Sequence, residues 1–202
     1  MKVRYSDTND QLLGAIVEAA TGAAFAAAPG REVLEPLGLH HTWVAGTDAA
    51  EQPEPAPIRN RGGELDLPLA FGSMAPDGGL VGTAADAVGF LRALHADPDG
   101  PLATMTARWH RFGLPRDRAA LVTPGWPIEY GLGIMRFRPP RLLNAGRRAG
   151  ALIGHTGTTG SWAFHSPEAG LYLAGTFDNP GAAAAPYRLV PALNRAHADR
   201  GR

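Results

Sequence analysis

Serine and histidine are the residues through which this sequence could do chemistry. It contains four serines (Ser6, Ser73, Ser161 and Ser166) and seven histidines. A serine becomes a nucleophile when an adjacent group takes its proton. In a Ser-x-x-Lys arrangement the two side chains share one face of a helix, so the amine can hold or take that proton. No serine here has this partner. The residues three positions on are Asn9, Pro76, Phe164 and Ala169, and the one lysine, Lys2, precedes them all. Arginine could not substitute as a base, because it stays protonated. A Gly-x-Ser-x-Gly elbow is also missing: Ser73 follows Gly72, but Phe71 and Ala75 stand at the outer positions. His40, His41, His95, His110, His165 and His197 form no His-x-x-x-His or His-Glu-x-x-His pattern, which argues against a metal site. The lack of cysteine removes disulfides, thiolate ligands and a thiol nucleophile. No phosphate-cradling loop or other cofactor motif is present.

The positioning elements must come from 202 residues, enough for one domain with a real core or two small ones. Basic and acidic residues number 19 each, so no chain-wide positive field for nucleic acid exists. The cluster Arg141, Arg147 and Arg148 reads as a solvated loop. No apolar run approaches the ~20 residues needed to span a bilayer. The first residues, Met1 to Tyr5, lack an apolar stretch of signal-peptide type. The compartment stays open.

Residues 9 to 21 read as a helix, with Leu12, Leu13, Ile16, Val17 and Ala20 on one apolar face, Thr8 or Asn9 as cap and Gly22 as stop. A short helix covers about 31 to 36, and 47 to 61 reads as an exposed loop. Gly78 to Gly82 reads as a tight turn. It leads into Thr83-Ala84-Ala85-Asp86, a capping box with Asp for Glu, and a helix to about His95. A weaker helical stretch covers 101 to 112, and 113 to 127 reads as loop. From Tyr130 the period changes to that of strands: 130 to 137, 152 to 156, 160 to 166 and 170 to 177, with Pro167 to Gly170 as a hairpin turn. A closing helix spans 183 to 197, interrupted by Pro191. Trp43, Trp109, Trp126 and Trp162 read as core or cleft wall. Helices first, then an antiparallel sheet, then a helix is an α+β order. The chain reads as a single partial domain over 1–202, mostly helix and loop over 1–127 and strands plus a final helix over 128–202.

Several stretches together resemble a family. Tyr5-Ser6-Asp7, followed by the helix ending Thr21-Gly22, resembles the Tyr-Ser-Asn motif of the serine β-lactamases and D-Ala-D-Ala peptidases. Pro36-Leu37-Gly38-Leu39, Gly78-Gly79-Leu80 with Thr83 to Asp86, and Tyr130-Gly131-Leu132-Gly133 are similar to other recurrent stretches of that family. His155-Thr156-Gly157 resembles its Lys-Thr-Gly or His-Thr-Gly motif. The resemblance covers about residues 3 to 197, and its flavour is that of the class C β-lactamase, carboxypeptidase and esterase branch.

The resemblance implies a β-lactamase/transpeptidase-like fold, an antiparallel sheet flanked by helices, and acyl transfer through a serine acyl-enzyme. Tyr5 then corresponds to the tyrosine that relays a proton between nucleophile and leaving group; the alternative is a tyrosine packed at a helix start. His155 would face the cleft, donating to a substrate carboxylate or tuning Tyr5; the alternative is a histidine at a strand end. Asp7 stands where the family has Asn, and an ionised Asp only accepts hydrogen bonds, which departs from the family's contact with a substrate amide oxygen. Thr156 would bind a substrate carboxylate, Gly157 would let the ligand approach the backbone, and the Thr158 N–H would form half of an oxyanion hole. These assignments call for a small-molecule or peptide substrate carrying a carboxylate, with no cofactor and no metal. Family members are often periplasmic or secreted.

In the family the Ser-x-x-Lys helix precedes the tyrosine motif, and here four residues precede Tyr5. The sequence therefore reads as N-terminally truncated: a hydrolase fragment without its nucleophile, inactive alone. The alternatives are a non-catalytic binding or regulatory protein, or half of a split enzyme. Loss of the missing elements is expected to expose apolar surface and a sheet edge, open to self-association or a partner chain.

Overall fold

The computed structural model describes residues 6–46, 55–60, 63–65, 74–111, 128–140, 150–182 and 184–200. The chain divides into two compact units, one of Tyr5–Phe90 and one that includes Leu91–Arg202.

In the first unit, α1 (Asp7–Thr21) starts two residues before the sequence suggests, with Ser6 rather than Thr8 or Asn9 at its N-cap position and no side-chain cap bond. Gly22 ends it as expected, in the left-handed conformation (φ 68°) that glycine adopts without a Cβ clash. The helix buries Gly14, where a Cβ would collide with the ring of Pro76. Its large aliphatic residues go the other way: Leu12, Leu13 and Ile16 are 60%, 57% and 61% exposed. The apolar face read from the sequence exists, and it is exposed among the described residues. The helix placed at 31 to 36 is a single wide turn over Gly30–Leu34.

Strand β1 (Thr42–Val44) pairs antiparallel with a later strand over Leu80–Gly82. Between them, β2 (Ile58–Asn60) and β3 (Gly63–Leu65) form a hairpin. β2 falls within the stretch read as loop. The Gly78–Gly82 stretch is not a turn either. A short helix, α2 (Ala75–Gly78), hands directly to that partner strand, β4 (Leu80–Gly82). Helix α3 (Ala84–Ala96) follows. Half of the capping box is made, since Thr83 Oγ1 accepts from the Asp86 N–H at 3.1 Å. The Asp86 carboxylate does not reach back. It is buried and accepts instead from the His41 N–H (2.8 Å) and the Thr42 hydroxyl (2.9 Å). One backbone and one hydroxyl donor outcompete the local amide, and Asp86 pins α3 to the start of β1.

In the second unit, α4 (Pro101–Thr106) is shorter than the sequence suggests, because His110–Arg111 forms an edge strand, β5. The stretch read as one strand from Tyr130 is two strands, β6 (Ile128–Tyr130) and β7 (Met135–Phe137). Two glycines make that hairpin. Gly133 has φ 65°, and a Cβ on Gly131 would collide with the Met105 carbonyl. Strands β8 (Leu152–Thr156), β9 (Ser161–Ser166) and β10 (Leu171–Thr176) follow the sequence reading within a residue, with a 3₁₀ turn over Pro167–Ala169. All six strands form one antiparallel sheet in the order β10-β9-β8-β7-β6-β5. The α+β class is therefore as expected.

Alternation along β9 sends Trp162, Phe164 and Ser166 inward. Trp162 and Phe164 pack with Ile128, Met135, Phe137 and Leu152 against Tyr187 and Val190 of α5 (Pro186–Arg200). Pro191 lies buried inside α5, where its ring nitrogen cannot donate to the carbonyl four residues back, that of Tyr187. The readings for Tyr5, 113 to 127 and the Arg141 cluster lie outside the described residues. Among the described residues no single helix is long and apolar enough to cross a membrane.

Candidate active site

The His155-Thr156-Gly157 stretch closes β8, an interior strand of the six-stranded sheet. Gly154 makes its approach possible, because a Cβ there would collide with the Ala163 carbonyl of β9. Strand alternation then sends the next two side chains to opposite faces. Thr156 turns toward the core, its hydroxyl 3.2 Å from the hydroxyl of Tyr187, which donates to Met135 Sδ at 3.0 Å. Burial pushes the Tyr187 phenol above its usual pKa, and the Thr156 bond opposes that rise in part. His155 faces away from this pair. Its Nε2 lies 3.2 Å from the Tyr130 hydroxyl and its Nδ1 lies 2.8 Å from the Thr156 carbonyl oxygen.

Beyond Thr156 the chain makes a tight turn. The Gly157 N–H donates to the Ser161 carbonyl (2.7 Å), and the Gly160 N–H donates to the Gly157 carbonyl (3.2 Å). Gly160, at φ 94°, packs against the backbone of Asn179. The hydroxyl of Ser161 occupies the space a Cβ on Gly157 would need. Thr158 sits exposed at the tip, and its N–H donates to no acceptor among the described residues.

His155, Thr156, Gly157 and Thr158 follow one another in the second unit, with the His155 and Thr156 side chains on opposite faces of β8. Asp7 belongs to the first unit, exposed in the first turn of α1, where its charge suits the helix dipole. Tyr5 lies outside the described residues. Two tyrosines escaped notice as site residues. Tyr130 was visible as the head of its glycine stretch, but nothing in that stretch indicates a histidine partner. Tyr187 carries no sequence signal at all, since only the sheet-helix packing brings it to Thr156. Among the described residues no group of three His, Cys, Asp or Glu side chains is placed to hold a metal.

Comparison with known proteins defines the class. The Beta-lactamase family model matches residues 2–191, and the chain belongs to that family. A D-stereospecific amidohydrolase from Streptomyces sp. superposes with a TM-score of 0.70 at 27% identity, over 93% of this chain and 54% of the other. A D-amino acid amidase from Ochrobactrum anthropi SV3, complexed with D-phenylalanine, gives 0.72 at 19% identity, over 99% and 59%. EstCE1, a hydrolase with promiscuous acyltransferase activity, gives 0.64 at 22% identity, over 96% and 56%. The chain therefore spans a little over half the length of these structures, and its fold is part of the serine hydrolase fold of the family. No curated protein matches.

Proposed function

We propose that this chain forms the cleft-strand half of an acyl-transferring serine hydrolase site for a β-lactam, a D-Ala-D-Ala peptide or an ester, and that it is inactive by itself. The observation that carries this reading is the Gly157–Gly160 turn at the end of the His155 strand, whose Thr158 N–H donates to no acceptor among the described residues. Similarity to a D-stereospecific amidohydrolase favours an amide next to a D-configured centre among these substrates. His155 supplies a proton or a positive charge near the substrate carboxylate, and Thr158 stabilises the oxyanion. Tyr5 relays the proton to the leaving group. The nucleophile comes from outside these 202 residues, because none of the four serines has a lysine three positions on.

The test is covalent labelling. The purified chain, treated with a fluorophosphonate or a reactive penicillin, is expected to show no mass increase. A one-to-one adduct on any of its serines overturns the inactivity. An open frame encoding Ser-x-x-Lys in the DNA upstream of the Met1 codon would support the hydrolase reading. A stop codon there would favour a non-catalytic binding protein, expected to bind ligand reversibly without an adduct.

A split enzyme is a second reading, favoured by the uncovered Leu12, Leu13 and Ile16 on α1. Burying such residues is worth about 1.5–3 kcal/mol each, so a complementary chain or a second copy gains by covering them. Sedimentation is expected to show self-association or co-purification of another chain. A monodisperse monomer with a sharp, high melting transition counts against both.

A further inference from the structure

The two ring nitrogens of His155 have different kinds of partner. The Thr156 carbonyl, 2.8 Å from Nδ1, only accepts, so Nδ1 must carry the proton in that bond. In the neutral ring Nε2 then holds a lone pair, and the donor across the 3.2 Å contact is the Tyr130 hydroxyl. The two rings also meet edge to face, with centroids 5.6 Å apart and planes at 79°. Tyr130 in turn is held by its backbone. The next residue, Gly131, approaches the Met105 carbonyl too closely for a side chain, and the Leu132 N–H donates to that same carbonyl at 2.9 Å. Helix α4 thereby anchors the hairpin whose first strand ends in Tyr130.

We propose that Tyr130 is a positioning residue for His155: its hydroxyl, with the Thr156 carbonyl opposite, holds the neutral imidazole as the Nδ1–H tautomer and directs every proton exchange to Nε2. When the ring takes up a proton the bond reverses, Nε2–H donating to the phenol oxygen, and the ring stays in place. A histidine that must offer charge to a substrate carboxylate without reorienting needs such a partner. The catalytic meaning of this arrangement rests on the acyl-transfer reading; the tautomer does not.

The experiment is long-range ¹H–¹⁵N spectroscopy of the full chain labelled at histidine, with the His155 ring assigned by its loss in His155→Gln. At mildly alkaline pH the expected result is a pyrrole-type Nδ1 and a pyridine-type Nε2. In Tyr130→Phe, with the backbone amide spectrum retained, the Nε2 shift changes with the loss of the phenol bond and the Nε2–H tautomer grows in. An Nε2–H tautomer in the native chain overturns the proposal, as does a Tyr130→Phe spectrum with both ring nitrogens unmoved. Should Tyr130→Phe fail to fold, the native tautomer decides alone. Covalent labelling can fail while this result holds, so the two readings are separable.

Discussion

His95, in the last turn of α3, meets His165 of β9 edge to face, ring centroids 4.2 Å apart. His165 also stacks on Tyr172 of β10 at 4.2 Å, with the rings nearly parallel, and Arg92 lies over the same tyrosine at 5.7 Å. Burial, with His95 as a second cause, lowers the His165 pKa from 6.5 to about 4, and Glu168 pulls the other way. Arg136, which the strand register places on the same side of the sheet two strands away, is paired with Glu129. The folded state therefore binds fewer protons at His165 than the unfolded state does. Stability is full above the ordinary value of 6.5, falls as pH drops toward about 4, and levels off below it. Solvent around the cluster screens part of the effect. Thermal melts across this window are expected to show the decline, and His165→Phe to flatten it. A native melting temperature that does not change from pH 7 to pH 4 would remove His165 as its source.

Asp86→Ala removes a buried carboxylate that accepts from the His41 N–H and the Thr42 hydroxyl. Both donors lose their acceptor where α3 meets β1. Each hydrogen bond to a charged group is worth about 1.5–3 kcal/mol, so chemical denaturation is expected to register a loss of that order or more. Asp86→Asn keeps the shape and one acceptor oxygen, and is expected to cost less. Equal losses for the two variants would mean that the charge and its bonds are not what holds this junction.

Gly154→Ala places a methyl group against the Ala163 carbonyl in the middle of the sheet. Overpacking of this kind costs about 1–3 kcal/mol. Because the next residue is His155, ring-nitrogen signals are expected to shift along with the melting temperature. A neutral Gly154→Ala would show that β8 and β9 can separate without penalty.

Phe164→Ala empties the centre of the second unit's core, where Phe164 has no exposed surface and packs against the Tyr187 ring with centroids 6.2 Å apart. A loss of about 3–5 kcal/mol is expected from denaturant titration. Leu193→Ala, at an exposed position of the adjacent helix, is the comparison and is expected to change little.

The elements read best were those whose signal is local. Residues 161 to 166 alternate and a Pro-Glu-Ala-Gly turn follows them, so the hairpin is readable to within a residue. Gly22 marked the end of α1 because only its backbone conformation matters there. The errors came where distant chain competes. β4 resembles a glycine turn until Thr42–Val44 is available to pair with it. The strand read across Tyr130–Phe137 breaks because Gly131 and Gly133 fold back, a warning that was present in the sequence but outweighed by the apolar residues around it. The site divided along the same line. His155, Thr156 and Gly157 are contiguous and recognisable as a motif. Tyr130 and Tyr187, 25 and 31 residues away from their partners, become neighbours only through sheet register and helix packing.

Pro191 removes one bond from the ladder of α5, the one that would reach the Tyr187 carbonyl, and leaves the helix continuous on either side. The turn that carries Tyr187 and Val190 is tied to the sheet by buried side chains, while the stretch beyond Pro191 is held to the rest of the unit by Asn194 on Ser166 at 2.8 Å. With one bond missing there, the ladder is weakened next to Pro191, and the end of the helix is expected to open more readily than its buried first turns. Deuterium should then enter Asn194–Arg200 well before it reaches Leu189 and Val190, so that the tail of the helix frays on its own clock while the hydroxyl beneath Thr156 stays in place.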